Sequence, residues 1–457
     1  MNENILNMNI EFQDIEMMKQ KKYLKIVNDM YAGFRVIGED PSYLKRFNLE
    51  KDDDYNNRRQ HAVLFNYFKK TINNLTSILV RKDASLKVNN EAYKYLEINI
   101  DNQGSSINSF LKIVAKNALI DGLTWIWADA SVKDDETMLG KNRQQLFLKN
   151  VKMTDIVSID TINNKGHIEL KQVVIKNVVK NYKNPFEFNY EIRFIVLDKQ
   201  SNSIYKKDNK GKYVLESSSE NELGYIPLFP VYAEKTDVFK SEIPFLDLAF
   251  LNLKHYNALS NYDNIQSLAC VPVPLLYIDN EAKSSDELVK NGLSIGASTA
   301  LIFEDKTKFG FEWAQVDSSC LQELRANVKE IEDKMEAISF SVLSKQAFNT
   351  ATEAEIADTQ SGLFLIELAN SLEDAFEKSF QAFSDYMNVE IDYKLNINKD
   401  FNSRLLSKDY VLYLIDLRTK GYISTDTLWD TLIRGEILKI DDYDIEKEKI
   451  AQENGSL

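Results

Sequence analysis

The stretch DGLTWIWAD holds two aspartates, Asp121 and Asp129, around Trp125 and Trp127, and it is the first place in this sequence to look for chemistry. Paired carboxylates can hold a divalent ion or divide acid and base roles. A metal-dependent enzyme with an ungrouped carboxylate site is therefore one reading to carry forward. The other reactive residue types are scattered. His61, His167 and His255 form no HExxH or Cys-His group, and Cys270 and Cys320 match neither a disulfide framework nor a zinc spacing. Asp52-Asp53-Asp54 reads as solvated loop charge. No GxSxG, GxxxxGK[ST] or GxGxxG occurs, so hydrolase, ATPase and dinucleotide chemistry have no motif to stand on. The expectation is a protein with no catalytic residue, no metal and no cofactor.

Composition sets the frame for whatever positions these residues. The chain has 457 residues, 28% charged and 44% hydrophobic, with a formal charge of −14, as expected of a folded soluble chain rather than a disordered one. That balance argues against a basic nucleic-acid-binding domain. Its length allows two or three core-bearing units, or one extended architecture. No apolar run approaches the roughly 20 residues of a membrane span, and the start MNENILNMNIEFQD lacks the order of a signal peptide. These features point to synthesis in the cytoplasm and no membrane partner.

The spacing of apolar residues divides the chain into blocks. A helix is expected from Phe12 to about Met30, with Gly33, Gly38 and Asp40-Pro41 as breakers. Ala62, Phe65, Phe68, Ile72, Leu75 and Leu79 recur at three and four residues, predicting one helix between Asn57 and Leu79. Ser106 should cap a third helix that ends near Asp121-Gly122. The period then changes: QLFLKNV, IVSIDTI, HIELKQVVI and YEIRFIVLD are short and β-branched, with a turn at Asn163-Asn164-Lys165-Gly166, so the middle is β-rich up to PLFPVY.

After Ile243-Pro244 a helix of about six turns is expected, stopped at Val271 to Pro274. A small α/β insert follows, with VPLLYI, ELVKNG, TALIFE and FEWAQV. The next helix has the clearest periodicity: Leu321, Leu324, Val328, Ile331, Met335, Ile338 and Val342 follow a 3-4-3-4 spacing. Such a seam suits a helix packed within one fold, an intermolecular contact, or a coiled-coil scaffold.

The pattern then breaks at SFSVLSKQAFNTATEAEI, Ser339 to Ile356, where Ser344 to Thr352 is short and polar between two helices. A loop at the tip of a helical hairpin, or at a kink, is a place where function concentrates. Beyond it Ala357, Phe364, Leu368, Leu372, Phe376, Phe380 and Phe383 form another apolar helical face. At the end, Ser407 to Thr419 and Ser424 to Ile433, stopped by Gly421 and Gly435, make a helix-turn-helix-sized unit. Its second helix offers Asp426 and Asp430 where a DNA reader needs basic and amide side chains, which favours oligomer packing.

Taken in order, several segments resemble the portal proteins of tailed bacteriophages, the head-to-tail connectors, and specifically a portal-like family first catalogued as a domain of unknown function. The resemblance runs through YAGFRVIGEDPSYLKRF (Tyr31 to Phe47), with Lys45 where the family has proline, and RRQHAVLFNYFKKTINNLTSILVRKD (Arg58 to Asp83). It continues through INIDNQGSSINSFLKIVAKNALIDGLTWIWAD (Ile98 to Asp129), PFLDLAFLNLKHYNALSNYDN (Pro244 to Asn264), FNTATEAE (Phe348 to Glu355) and KGYISTDTLWDTLIRGEIL (Lys420 to Leu438).

That resemblance implies an α+β, portal-type fold assembled as a ring oligomer. Residues 1–240 would be an α/β wing, β-rich over 140–235, and 244–269 and 316–343 a two-helix stem around a small α/β clip at 270–315. Residues 344–352 would be a tunnel loop, 353–400 a long tunnel helix with a return to the wing, and 401–457 a helical crown. It also implies a non-enzymatic virion protein at the portal vertex of the capsid, a dodecamer enclosing a DNA channel for viral genome packaging and ejection. Its partners would be further copies of itself, double-stranded DNA passing without sequence specificity, the terminase large subunit, the head-tail adaptor and the major capsid protein. ATP hydrolysis would belong to the terminase. Lys345 would be the phosphate contact, with Gln346, Asn349 and Thr350 as weaker polar partners, and Leu321, Leu324, Val328, Ile331, Met335, Ile338 and Val342 would pack the stem between subunits. At −14 per chain, a ring of about twelve copies would present a largely repulsive wall to duplex DNA.

Overall fold

Helical and strand periods occupy separate stretches of the chain. The computed structural model describes residues 10–13, 15–131, 145–208, 210–269, 273–278, 294–295, 298–299, 301–304, 310–314, 318–339, 351–397, 399, 401, 408–434, 446, 449 and 452. Among these the N-terminal helices are α1 (Ile15–Ala32), α2 (Phe34–Ile37), α3 (Asp52–His61), α4 (Tyr67–Leu79), α5 (Tyr95–Ile98) and α6 (Ile107–Asp121). Ser106 caps α6 by accepting from the Ser109 amide, and Gly122 ends it at φ 80°. Glycine is required there, because a Cβ would meet the Glu242 carbonyl oxygen at 2.1 Å.

The single helix expected between Asn57 and Leu79 is two helices. Asn66 caps α4 by accepting from the Lys69 amide at 2.7 Å, and its side-chain amide donates to the Met30 carbonyl. A local cap with a tertiary anchor outweighs the continuous apolar spacing. Phe65, in the break, is exposed, while Ala62, Phe68, Ile72, Leu75 and Leu79 are buried as expected.

The strands of the middle region are β1 (Ser85–Val88), β2 (Leu123–Ala130), β3 (Leu146–Lys152), β4 (Ile156–Asn164), β5 (His167–Asn184), β6 (Glu187–Asp198), β7 (Ser201–Lys207), β8 (Tyr213–Glu220), β9 (Leu228–Tyr232), β10 (Lys235–Asp237) and β11 (Lys240–Ser241). One antiparallel sheet has the order β3-β2-β9, and a five-stranded meander runs β4-β5-β6-β7-β8. Lys165 and Gly166, both at positive φ, turn β4 into β5. The β2 strand is buried on both faces, as a central strand covered on both sides must be. Ile126 and Ala128 enter the main core with α4 and α6, while Leu123, Trp125 and Trp127 enter a second core under the meander.

The C-terminal half adds α7 (Leu246–Ala269), strands β12 (Val273–Ile278), β13 (Ser294–Ile295), β14 (Ser298–Thr299), β15 (Leu301–Glu304) and β16 (Gly310–Ala314), and then α8 (Ser318–Ile338) and α9 (Ala351–Met387). The β15-β12-β16 sheet pairs β12 parallel to β15 and antiparallel to β16. The short helix expected at ELVKNG lies outside the described residues. Phe376, Phe380 and Phe383 of α9 are fully buried in the main core, and Phe110 of α6 meets Phe376 edge-on at 6.0 Å. Strand β17 (Tyr393–Asn396) returns to pair with β1. Finally α10 (Lys408–Thr419) and α11 (Thr425–Arg434) pack through Leu414, Leu428 and Leu432, with Gly421 turning between them at φ 79°. The architecture is α+β.

Candidate functional site

The feature built with most care is the pair of long helices α7 and α8 and the anchoring of α7 on the body. An amphipathic helix needs one apolar stripe, but α7 also carries a buried amide, histidine and serine, with further half-buried amides. Asn252, fully buried, accepts from the Phe68 amide at 3.0 Å and donates to the Phe65 carbonyl at 2.8 Å, satisfying the backbone where α3 and α4 are interrupted. Asn257 accepts from the Lys45 amide and donates to the Tyr43 carbonyl, both at 2.8 Å. Lys45 thus supplies a backbone N–H that a proline at this position would lack.

Arg58 completes the anchor. Its side chain and that of Glu50 are 2% and 6% exposed, and they pair at 2.7 Å. The guanidinium also donates to the Lys45 carbonyl at 2.8 Å, reaches Ser260 and Asn261 of α7, and lies over the Phe47 ring at 4.5 Å. Hydrogen bonds from Arg58, with the Phe47 amide, hold the Glu50 carboxyl below the ordinary carboxylate range. A buried arginine with this many acceptors fixes geometry, since its fork fits only one arrangement of them.

The two long helices meet at His255 and Glu332. His255 is fully buried, its Nε2 lies 3.1 Å from Glu332 Oε1, and Phe65 and Tyr67 stand edge-on to its ring at 6.0 and 6.4 Å. Ile331 and Met335 are in the main core and Val328 is buried as well. The middle of the heptad seam is therefore filled within one chain, and those three side chains are not on the surface a second copy would meet. Leu321 and Leu324 are half-buried and Ile338 is exposed. The outer face carries the ion pairs Lys329–Asp333 and Lys334–Glu330.

Val342 and the loop residues Lys345, Gln346, Asn349 and Thr350 lie outside the described residues, so the loop is bounded only by the C-terminus of α8 and the start of α9. Asp121 and Asp129 do not form a joint site. Asp129 pairs with Lys149 at 2.8 Å near the far end of β2, and Lys149 also sits over the Trp127 ring. Asp121 lies at the other end of that strand, roughly 25 Å away at strand rise. It is buried, accepts from Asn28 at 2.7 Å, and burial raises its pKa to about 7. Among the described residues no three His, Cys, Asp or Glu side chains are grouped as metal ligands. No helix among them is long and apolar enough to cross a membrane.

This helix pair, its inserted sheet and the whole of α9 coincide with a family match. Residues 244–387 match the family described as "Domain of unknown function (DUF4055)". The DUF4055-matching region takes in the segments Pro244–Asn264 and Phe348–Glu355 that carry part of the resemblance noted from sequence, and it agrees with that resemblance. No curated protein matches the chain. Solved structures resemble it loosely over most of its length. A chain of the "Neck of empty GTA particle computed with C6 symmetry" has 12% identity, covers 88% of this chain and 99% of its own, and has a TM-score of 0.41. A chain of the "Neck of native GTA particle computed with C12 symmetry" has 11% identity, coverage of 80% and 89%, and a TM-score of 0.39. A third, from the "Virion of native gene transfer agent (GTA) particle", has 12% identity, coverage of 87% and 96%, and a TM-score of 0.39.

Sequence reasoning does not single out the anchoring residues of α7 as a site. The one sequence signal available is a run of polar residues, Asn252, His255, Asn257, Ser260 and Asn261, inside a helix otherwise rich in leucine, alanine and aromatics.

Proposed function

We propose that this chain is the subunit of a portal-type ring in a virion, a head-to-tail component that conducts double-stranded DNA and docks other virion and packaging proteins at the ends of its channel. One observation carries the reading. Two long helices, packed side by side and anchored at one end, carry a small sheet between them, and a 37-residue helix follows after a short polar segment. That order coincides with the stem, clip, tunnel loop and tunnel helix of the family the sequence resembles.

On this reading α7 and α8 form the stem, β12 to β16 belong to the clip, and the segment before α9, which begins at Ala351 rather than at 353, approaches the channel. Small polar loop residues leave room for a duplex, and a net negative wall avoids the tight, salt-dependent grip that many lysines and arginines would impose. Lys345, the one cation between Ser339 and Ile356, serves as a weak phosphate contact. Val328, Ile331 and Met335 hold the two stem helices together within a subunit, which leaves Leu321, Leu324 and Ile338 for contact between subunits.

Negative-stain electron microscopy of the purified, DNA-free chain tests this directly. End-on rings with a hole wide enough for a duplex are expected. Particles that remain monomers or dimers, alone and with capsid components added, would overturn the reading.

A further inference from the structure

The meander has an arm. Strand β5 pairs with β4 only as far as Ile175, and β6 pairs with β7 only from Arg193 onward. Between these points β5 and β6 continue alone as a two-stranded ribbon, with Val178 opposite Ile192, Lys180 opposite Tyr190 and Tyr182 opposite Phe188. Nine further residues of strand reach about 30 Å. Those three pairs share one face, because successive side chains alternate. Tyr182, Tyr190 and the tip residue Phe186 are 61%, 68% and 94% exposed. A lone two-stranded ribbon is marginally stable in water, and an exposed aromatic face of this kind marks a contact surface.

The opposite end of the same strand lies beside an open cleft of about 950 Å³. Its walls are the first residues of β5, strand β9 and one flank of α9, with Leu170, Phe229, Pro230 and Tyr232 as apolar lining. Glu234, Glu367 and Asp374 line it together with Lys235 and Lys378, while Glu169 is already paired with Lys199. The cleft is thus slightly acidic on a chain of net charge −14. The ribbon has the other sign, with Lys176, Lys180 and Lys183 against Glu187, while Arg193 is already paired with Glu191 and Glu216.

We infer that the β5–β6 ribbon of one copy docks its aromatic face and Phe186 in the cleft beside β9 and α9 of the next copy. The inference rests on the ring reading, which it extends by naming the contact. Two dissimilar, complementary surfaces at opposite ends of one strand form a head-to-tail interface, the type that closes rings rather than two-fold dimers. The acidic chain as a whole also favours a basic arm as its own partner.

The test uses the full chain with Cys270→Ser and Cys320→Ser. One preparation adds Phe186→Cys and the other Glu367→Cys, and the two are mixed, assembled and oxidised. Particle size reports the ring, and a disulfide-linked pair formed only in the mixture reports the contact. Separately, Tyr182→Ser with Phe186→Ser, both on exposed side chains, should raise the concentration at which rings dissociate by about tenfold or more, as loss of interface anchors does. Rings that form with no cross-linked pair, and that tolerate the serine variant unchanged, would overturn the ribbon contact and leave the ring reading standing. Failure of the parent chain to form rings under any condition removes both.

Discussion

The backbone N–H of Lys45 donates to Oδ1 of Asn257 across 2.8 Å, joining positions 212 residues apart. Asn257 returns the contact by donating to the Tyr43 carbonyl. One side chain of α7 therefore serves as a backbone partner for an irregular segment that has no sheet to join. Asn257→Ala should lower stability by about 2 kcal/mol, the sum of two modest hydrogen bonds. Lys45→Pro removes one donor and should cost about 1 kcal/mol, and less when Asn257 is already alanine. Urea unfolding of the two single variants and the double variant measures the coupling, and additive losses would mean the two residues do not act together.

Arg58 and Glu50 illustrate a different balance. Breaking one partner of a buried pair leaves a desolvated charge, so Arg58→Met should cost about 3–5 kcal/mol, while Arg58→Met with Glu50→Leu should cost less than the sum of the single changes. Because the folded-state pKa of Glu50 is lowered, its contribution is present above the unfolded value and is lost as pH falls through the folded one. Acid unfolding below about pH 4.5 should therefore be shallower for Glu50→Gln than for the parent chain. Equal slopes would detach the carboxylate from the anchor.

Asp121 should behave in the opposite sense. Its folded pKa of about 7 lies above the unfolded value, so its contribution is fully present below about pH 4 and is lost as pH rises toward 7. Asp121→Asn keeps an acceptor for Asn28 and removes the ionisation. Relative to the parent, the variant should gain stability at up to about 1.4 kcal/mol per pH unit between roughly pH 4 and 7, then level off. Denaturation across a pH series reads the difference, and a flat line would show that Asp121 is ionised in the fold throughout.

Lys345→Ala tests the proposed DNA channel. Ring assembly should be unaffected, because the residue lies in the segment between α8 and α9 rather than in the anchor or the seam. Genome packaging or retention should change, and the salt slope of any residual DNA association should shrink by about one unit per subunit whose lysine no longer meets a phosphate. Packaging and retention at parent levels would remove the role assigned to this lysine.

Much of the fold was legible because periodicity and caps act locally. Ser106 and Gly122 bound α6 in the sequence as in the structure, and the face Phe364, Leu368, Leu372, Phe376, Phe380 and Phe383 marks α9. The interruption at Ala62–Asn66 was hidden because its stabilising partner, Asn252, lies far along the chain. Strand β5 runs nine residues past the segment that its β-branched run suggested, into a polar and aromatic stretch whose partner β6 gives it a register. The period-two spacing of Val178, Lys180 and Tyr182 was the available clue. The anchor eluded sequence reasoning for a simpler reason: Arg58 and Glu50 are residue types normally placed at the surface, and only tertiary partners make their burial tolerable.

The anchors on α7 begin at Asn252 and stop at Asn261, eight residues before the helix ends at Ala269. Over the same stretch the first turns of α8 carry mostly exposed side chains. In mechanical terms the helix pair is a cantilever, built into the body at one end and carrying the β15-β12-β16 sheet at the other. A load on that sheet acts through a lever arm of about 12 Å of unanchored helix. The bending moment is then borne at Arg58, Glu50 and Asn257, so a push at the sheet would register as strain around the segment Tyr43 to Glu50.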